Sequence, residues 1–229
     1  MKKYIMATSK PWHKPMADSF FGGPTGFLWA NTPEQLTDIV QSNNGDNIRY
    51  IFFLHWNWLV PEELWKTYEC VCFHMTDVPY GRGGSPLQNL IVRGHKDTKL
   101  TALKMTSEMD AGPVYTKREL SLGGTAEEIY SRAGELSFQI VQWMMDNEPQ
   151  PTPQQGDPVI FKRRKPEQSV LPEKASLSEL YDHIRMLDAP TYPHAFIEHG
   201  EFIIEFSGAD VQGEELTACV RIRKKAERR

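Results

Sequence analysis

Residues 50–58 read Tyr50-Ile51-Phe52-Phe53-Leu54-His55-Trp56-Asn57-Trp58. Five apolar or aromatic residues run without a break and then give way at once to polar and aromatic ones. A short unbroken apolar run is the pattern of a strand buried on both faces, and such strands belong to parallel sheets covered by helices. The pattern recurs at 70–73, an apolar run followed by His74-Met75-Thr76-Asp77-Val78-Pro79-Tyr80-Gly81-Arg82-Gly83-Gly84-Ser85-Pro86. Residues 3–7 and 27–30 read as two more strands, separated by the turn cluster Gly22-Gly23-Pro24-Thr25-Gly26. Helix starts lie between the strands. Thr32 is an N-cap with Pro33 at the first helical position and Leu36, Ile39 and Val40 at helical spacing, and Pro61-Glu62-Glu63-Leu64-Trp65 opens another helix. The alternation predicts an α/β fold with a mostly parallel sheet. Ligands in such sheets bind beyond the carboxyl ends of the strands. The segments after Leu54 and after Phe73 are therefore where function is expected.

Further along, 100–106 and 114–120 read as strands flanking the turn Ser107-Glu108-Met109-Asp110-Ala111-Gly112-Pro113. Thr125-x-x-Glu128 is a capping box, and Ile129, Ala133, Leu136, Ile140, Val141 and Met144 give the helix behind it an apolar face. The proline-rich stretch 148–158 cannot be helical and reads as an exposed connector. The basic run Lys162-Arg163-Arg164-Lys165 reads as a solvated face. Ser176-x-x-Glu179 caps a short amphipathic helix carrying Leu177, Leu180, Ile184 and Leu187. Residues 195–197 and 201–206 form a hairpin around Glu198-His199-Gly200, and 216–222 supplies another strand. Residues 223–229 are charged and are expected to fray.

The chain has 229 residues, with 26 Lys+Arg against 30 Asp+Glu, a net charge of −4. That length supports one sizeable core with a small appendage. No net basic field favours a nucleic-acid partner. No apolar run approaches 18 residues, so no membrane span is expected, and the N-terminal apolar run is too short for a signal peptide. Three cysteines, an odd and sparse set, suggest a reducing, cytoplasmic location. Cys70-x-Cys72 lies inside an apolar run and reads as strand interior, so no metal is expected. There is no P-loop, HExxH, GxSxG, or GxGxxG after the first strand.

His74 at a strand end and Asp110 in a later turn form a general acid/base pair if the fold brings them together, the carboxylate orienting the imidazole and stabilising its cation. The residue-level alternative is a hydrogen-bonded strand-end histidine and an ordinary turn aspartate. Here the chain resembles the folate-dependent formyltransferase superfamily. His74-Met-Thr-Asp-Val-Pro79-Tyr-Gly-Arg82-Gly83-Gly-Ser-Pro86 is similar to its His-x-Ser-x-Leu-Pro-x-x-Arg-Gly-x-x-Pro signature, and Met109-Asp110-Ala-Gly112 matches its aspartate turn. The tail, residues 180–196, resembles the post-catalytic module of sugar N-formyltransferases, and Thr76-Asp-Val-Pro79 with Gly81-Arg-Gly-Gly-Ser-Pro86 resembles the pseudaminic-acid type, relatives of the methionyl-tRNA formyltransferases and of the linear gramicidin synthetase formylation domain.

The resemblance implies a Rossmann-like formyltransferase domain over 1–165 and a helix/β-hairpin subdomain over 166–229. It implies transfer of a formyl group from 10-formyltetrahydrofolate to the amine of a small-molecule amino sugar, through a tetrahedral intermediate. It implies catalytic roles for His74, Asp110 and Asn57. Leu54, Trp56, Trp58, Thr106 and Met109 would then contact folate, and Thr76, Tyr80, Arg82 and Gly83 the substrate. Trp56 and Trp58 read equally as core. A nucleic acid or membrane partner is not implied, and a homodimer is compatible. One position departs from the pattern: the family's Asn two residues before the histidine is Cys72, a weak donor. Asn57, or His74 with backbone N–H groups, is left to support the oxyanion. A hydrolase using water as acceptor, a formyltransferase for a carrier-bound amino acid, and a non-catalytic folate or nucleotide binder are the competing readings.

Overall fold

The computed structural model describes residues 2–43, 47–190 and 192–225. In chain order the elements are β1 (Lys3–Thr8), α1 (His13–Phe20), β2 (Leu28–Ala30), α2 (Pro33–Ser42), β3 (Ile48–Leu54), α3 (Glu62–Thr67), β4 (Cys70–His74), β5 (Tyr80–Gly83), α4 (Pro86–Val92), β6 (Asp97–Lys104), β7 (Val114–Ser121), α5 (Ala126–Asn147), β8 (Val159–Phe161), a 3-10 turn (Pro166–Ser169), α6 (Leu177–Arg185), β9 (Ala195–His199), β10 (Phe202–Gln212) and β11 (Glu215–Lys224). They fall into two compact units. The first comprises Met1–Gly83, Lys99–Leu120 and Arg132–Ile160, and the second comprises Gly84–Thr98, Ser121–Ser131 and Phe161–Arg229.

The first unit holds a six-stranded sheet of order β2-β1-β3-β4-β6-β7. β1 pairs in parallel with β2 and β3, and β3 with β4. The expected α/β architecture with a mostly parallel sheet is present. β6 runs antiparallel to β4, placing Thr101 opposite His74. The sequence explains why the central strands lie inside. Ile5, Ala7, Ile51, Phe53 and Cys70 pack with Leu36 and Val40 of α2 on one face. The alternate residues Met6, Tyr50, Phe52 and Val71 are equally buried, so both faces are covered, as the unbroken apolar runs require. Each buried side chain of that size contributes about 1.5–3 kcal/mol. Thr32 caps α2 through Gln35 N–H, with Pro33 at the first position.

The second unit holds the antiparallel sheet β11-β10-β9. α6 starts on the Ser176/Glu179 capping box. The nearly buried Arg185 is satisfied by the Leu122 and Gly124 carbonyls and by Asp182. Arg223 and Lys224 do not fray. They extend β11, because β10 runs on far enough to pair with them. Residues 226–229 of that expectation lie outside the described residues. Pro86, the last residue of the segment after Phe73, starts α4.

α1 was not signalled by apolar periodicity; half of its segment His-Lys-Pro-Met-Ala-Asp-Ser-Phe is polar. Tertiary contacts hold it. Met16 and His13 sit against Gly134, where a Cβ would lie 2.8 Å from the Met16 sulfur. His13 Nδ1 lies 2.6 Å from Thr8 Oγ1, and His13 Nε2 lies 3.2 Å from His55 Nδ1. Lys10 N–H already donates to Thr8 Oγ1, so the Thr8 hydroxyl is free to donate to His13 and both rings can be neutral. Burial first, then His55 and Lys10, push His13 down to about 2. Burial first, then Lys10, pushes His55 down to about 4.

The unfolded chain takes up these protons near the ordinary value of 6.5, and the fold does not. Stability is therefore present above pH 6.5 and falls as pH drops below it, down to about 4 for His55 and about 2 for His13, by up to about 1.4 kcal/mol per pH unit for His13. Thermal unfolding across that range will show the decline, and His13→Gln will flatten it. An unchanged slope in His13→Gln would remove His13 as its source.

Candidate active site

The site assembles at the carboxyl end of β4. His74 is the last residue of that strand and is buried. The chain then turns through Met75–Pro79 into β5. Gly81, with φ of 79°, turns its carbonyl back onto His74, a conformation that costs a side-chain-bearing residue energy. That carbonyl accepts from His74 Nε2 at 2.8 Å and from the Thr76 hydroxyl at 3.3 Å. Thr76 O in turn accepts from the Thr101 hydroxyl of β6 at 2.7 Å. Asp77 lies between two lysines, Lys99 at 3.0 Å and Lys117. Burial alone would raise its carboxyl, but the two ammonium groups outweigh that and hold it below its ordinary range.

Asp110 arrives from the β6–β7 turn with φ of 53°, a left-handed conformation that aspartate tolerates better than most residues. Its Oδ2 accepts the Gly83 N–H at 2.9 Å and faces His74 Nδ1 at 3.5 Å. His74 thus has an acceptor at each ring nitrogen, the pattern complementary to a doubly protonated imidazole. The turn closes tightly. Lys104 N–H donates to Pro113 O, and a Cβ on Gly112 would sit 1.8 Å from the Lys104 carbonyl oxygen.

Gln154 is the residue the sequence reading missed. Its amide nitrogen donates to the Asp110 and Gly112 carbonyls, both at 2.8 Å. Its amide oxygen accepts from Arg82 Nε and Nη2 at 3.0 and 2.9 Å. One side chain thereby joins the aspartate turn to the arginine of β5. It lies in the segment read as an exposed connector, which a Val114–Thr152 bridge and a Val159 N–H to Pro79 O bond tie down. A polar residue among prolines carries no sequence signal of such a role.

The other expected residues are distributed as follows. Tyr80 is half-buried in β5 beside Arg82 and Gly83. Thr76 was expected to touch substrate but is fully buried, its hydroxyl spent on Gly81. Leu54 was expected to contact folate but lies in the core. Trp56 packs on the Phe53 cluster and meets Trp58 edge-to-face at 4.9 Å, with Trp58 44% exposed. Thr106 and Met109 are exposed on the aspartate turn, and Asn57 is exposed beyond β3. Cys72 pairs with Phe53 in the sheet. Burial first and the Asp110 carboxylate second push its thiol well above the ordinary range, leaving a neutral S–H. Among the described residues, no group of three or more His, Cys, Asp or Glu is placed to hold a metal. No described helix is long and apolar enough to cross a membrane.

Residues 166–223 match the family model described as methionyl-tRNA formyltransferase, C-terminal domain. A solved structure titled methionyl-tRNA formyltransferase from Clostridium thermocellum is 40% identical, with a TM-score of 0.92, over 98% of this chain and 100% of that one. A curated methionyl-tRNA formyltransferase from Sinorhizobium medicae is 28% identical over 61% of this chain and 47% of its own length. The chain spans about half the length of the curated relatives it matches. A sugar N-formyltransferase from Shewanella shares the fold at 13% identity, with a TM-score of 0.65 over the whole of both chains.

Gly112→Ala has no room against the Lys104 backbone and will lower stability by about 2 kcal/mol or more in urea unfolding. A wild-type midpoint would refute the close approach. Cys70, whose thiol burial pushes up to about 12, and Cys72 will resist iodoacetamide in the folded protein and label on unfolding. Rapid native labelling at Cys72 would show a thiolate there.

Proposed function

The chain belongs to the formyltransferase family that includes the methionyl-tRNA formyltransferases, and from that premise we propose that it moves a formyl group from 10-formyltetrahydrofolate to a primary amine. The observation that carries the reading is the His74–Asp110 pair held between the Gly81 carbonyl and the Gly83 N–H. The unprotonated amine attacks the formyl carbon, the bond from that carbon to the folate nitrogen breaks, and the amine proton moves to the departing nitrogen. Asp110 relays that proton and holds the imidazole. His74 Nε2–H is already given to Gly81 O, so its support for the developing oxyanion is chiefly its positive charge in a buried setting. The neutral Cys72 thiol contributes little as a donor. Asn57, on the exposed segment after β3, remains part of the reading as a donor that a loop movement brings in. Trp56 and Trp58 offer an aromatic wall for the pterin, and Arg82, fixed by Gln154, a cation for the substrate. The division into residues 1–165 and 166–229, with the second part auxiliary, and a cytoplasmic setting belong to the same proposal.

The acceptor reading with most support is the amine of methionyl-tRNA, since a solved structure of that name matches at 40% identity over nearly the whole chain. The second reading is the amine of a nucleotide-linked amino sugar, favoured by the net charge of −4, which gives a polyanion no general attraction.

The test is mass spectrometry for the gain of one formyl group, with 10-formyltetrahydrofolate and either methionyl-tRNA or a panel of free and nucleotide-linked amino sugars. Formate release with no acceptor would replace transfer by hydrolysis. His74→Ala and Asp110→Ala will each lower kcat by about 10²–10⁴-fold while remaining folded. Near-normal turnover in either removes that residue from the mechanism.

A further inference from the structure

Asp110 sits in the left-handed region, with φ of 53°. A residue that bears a side chain stays there only where its surroundings fix it. Two contacts grip it. The Gly83 N–H holds its carboxylate at 2.9 Å, and Gln154 Nε2 holds its carbonyl at 2.8 Å. The second contact completes a circuit. Gln154 Oε1 accepts from Arg82 Nε and Nη2, Arg82 is bonded to Gly83, and the Gly83 N–H returns to Asp110. The strip that carries Gln154 is itself anchored. Val114 and Thr152 exchange two backbone bonds at 2.7 and 2.8 Å, and the Val159 N–H reaches Pro79 O at 3.1 Å.

The chemistry of the circuit selects glutamine. Arg82 only donates, while the Asp110 and Gly112 carbonyls only accept. The group between them must accept on one side and donate on the other. Glutamate cannot serve the carbonyls, lysine cannot serve Arg82, and asparagine is shorter by a methylene. Glu108, on the same turn, also faces Arg82 at 3.6 Å, but its side chain is 74% exposed, and water screens such a pair. We propose that Gln154 is a positioning residue, which keeps the Asp110 carboxylate on His74 by holding the Asp110 carbonyl. Its bearing on turnover rests on the formyl-transfer reading above. Without the Gln154 donors the turn relaxes out of its left-handed conformation, and the carboxylate swings away from His74 Nδ1, which it now faces at 3.5 Å. A catalytic group misplaced by about 1 Å costs about 10²-fold in rate.

The test combines nitrogen NMR of the histidine rings in the full chain with steady-state turnover. Gln154→Met removes both arms at similar length. Gln154→Glu keeps the Arg82 arm and removes donation to Asp110 and Gly112, and it serves alone if Gln154→Met does not fold. The His74 ring signals are those lost in His74→Gln. Both Gln154 variants should move them in the direction that Asp110→Asn moves them, with the His13 and His55 signals in place. Each should lower kcat about 10²-fold, with the KM for 10-formyltetrahydrofolate within about twofold of wild type. In the Asp110→Asn background Gln154→Glu should cost less than about twofold, because the group it positions is already gone. His74 signals at their wild-type positions in Gln154→Glu, wild-type kcat in that variant, or the full loss repeated in the Asp110→Asn background would each overturn the proposal. If no acceptor is formylated and the His74 signals still move, formyl transfer falls and the positioning of Asp110 stands.

Discussion

The antiparallel return of β6 alongside β4 is the arrangement on which the candidate site rests. β6 runs from Thr101 opposite His74 to Lys104 opposite Val71, and the turn that follows doubles back so that Asp110 faces His74. The turn can close only because Gly112 presents no side chain to the Lys104 carbonyl. Asp110 then reaches both His74 and the Gly83 N–H. The separation of imidazole and carboxylate is set by backbone packing rather than by two free side chains. That is the kind of support an acid/base pair needs, since small displacements are costly in rate.

Around that pair, the polar groups largely satisfy one another. The Gly81 carbonyl serves His74 and Thr76, and Gln154 serves Asp110, Gly112 and Arg82. Burying such groups is tolerable when their hydrogen bonds are made, and a connected network then fixes one conformation. Cys72 fits the same logic. A neutral thiol asks for little hydrogen bonding, so it can sit close to a carboxylate where a second charge could not.

Several elements were legible from residues alone. The runs at 50–54 and 70–73 announced buried strands because continuous apolarity has one use in an α/β sheet. Thr32-Pro33, Thr125-x-x-Glu128 and Ser176-x-x-Glu179 announced helix starts through local hydrogen-bond chemistry. α1 and Gln154 were not legible. α1 is half polar and is held by Gly134 and His55, distant in sequence, while Gln154 acts through partners more than forty residues away. Thr76 was expected at the substrate by position, and the structure directs its hydroxyl to the Gly81 carbonyl, a direction that depends on where Gly81 folds back.

The sequence by itself determined the α/β class, most of its strands and helices, and His74 and Asp110 as the groups to watch, since periodicity, capping and residue chemistry are local properties. Only the tertiary structure decided that the two meet 3.5 Å apart, that a connector glutamine braces them, and that β11 is left as an open edge. Those outcomes depend on which strands become neighbours and how closely their backbones approach, and no single stretch of chain contains that information.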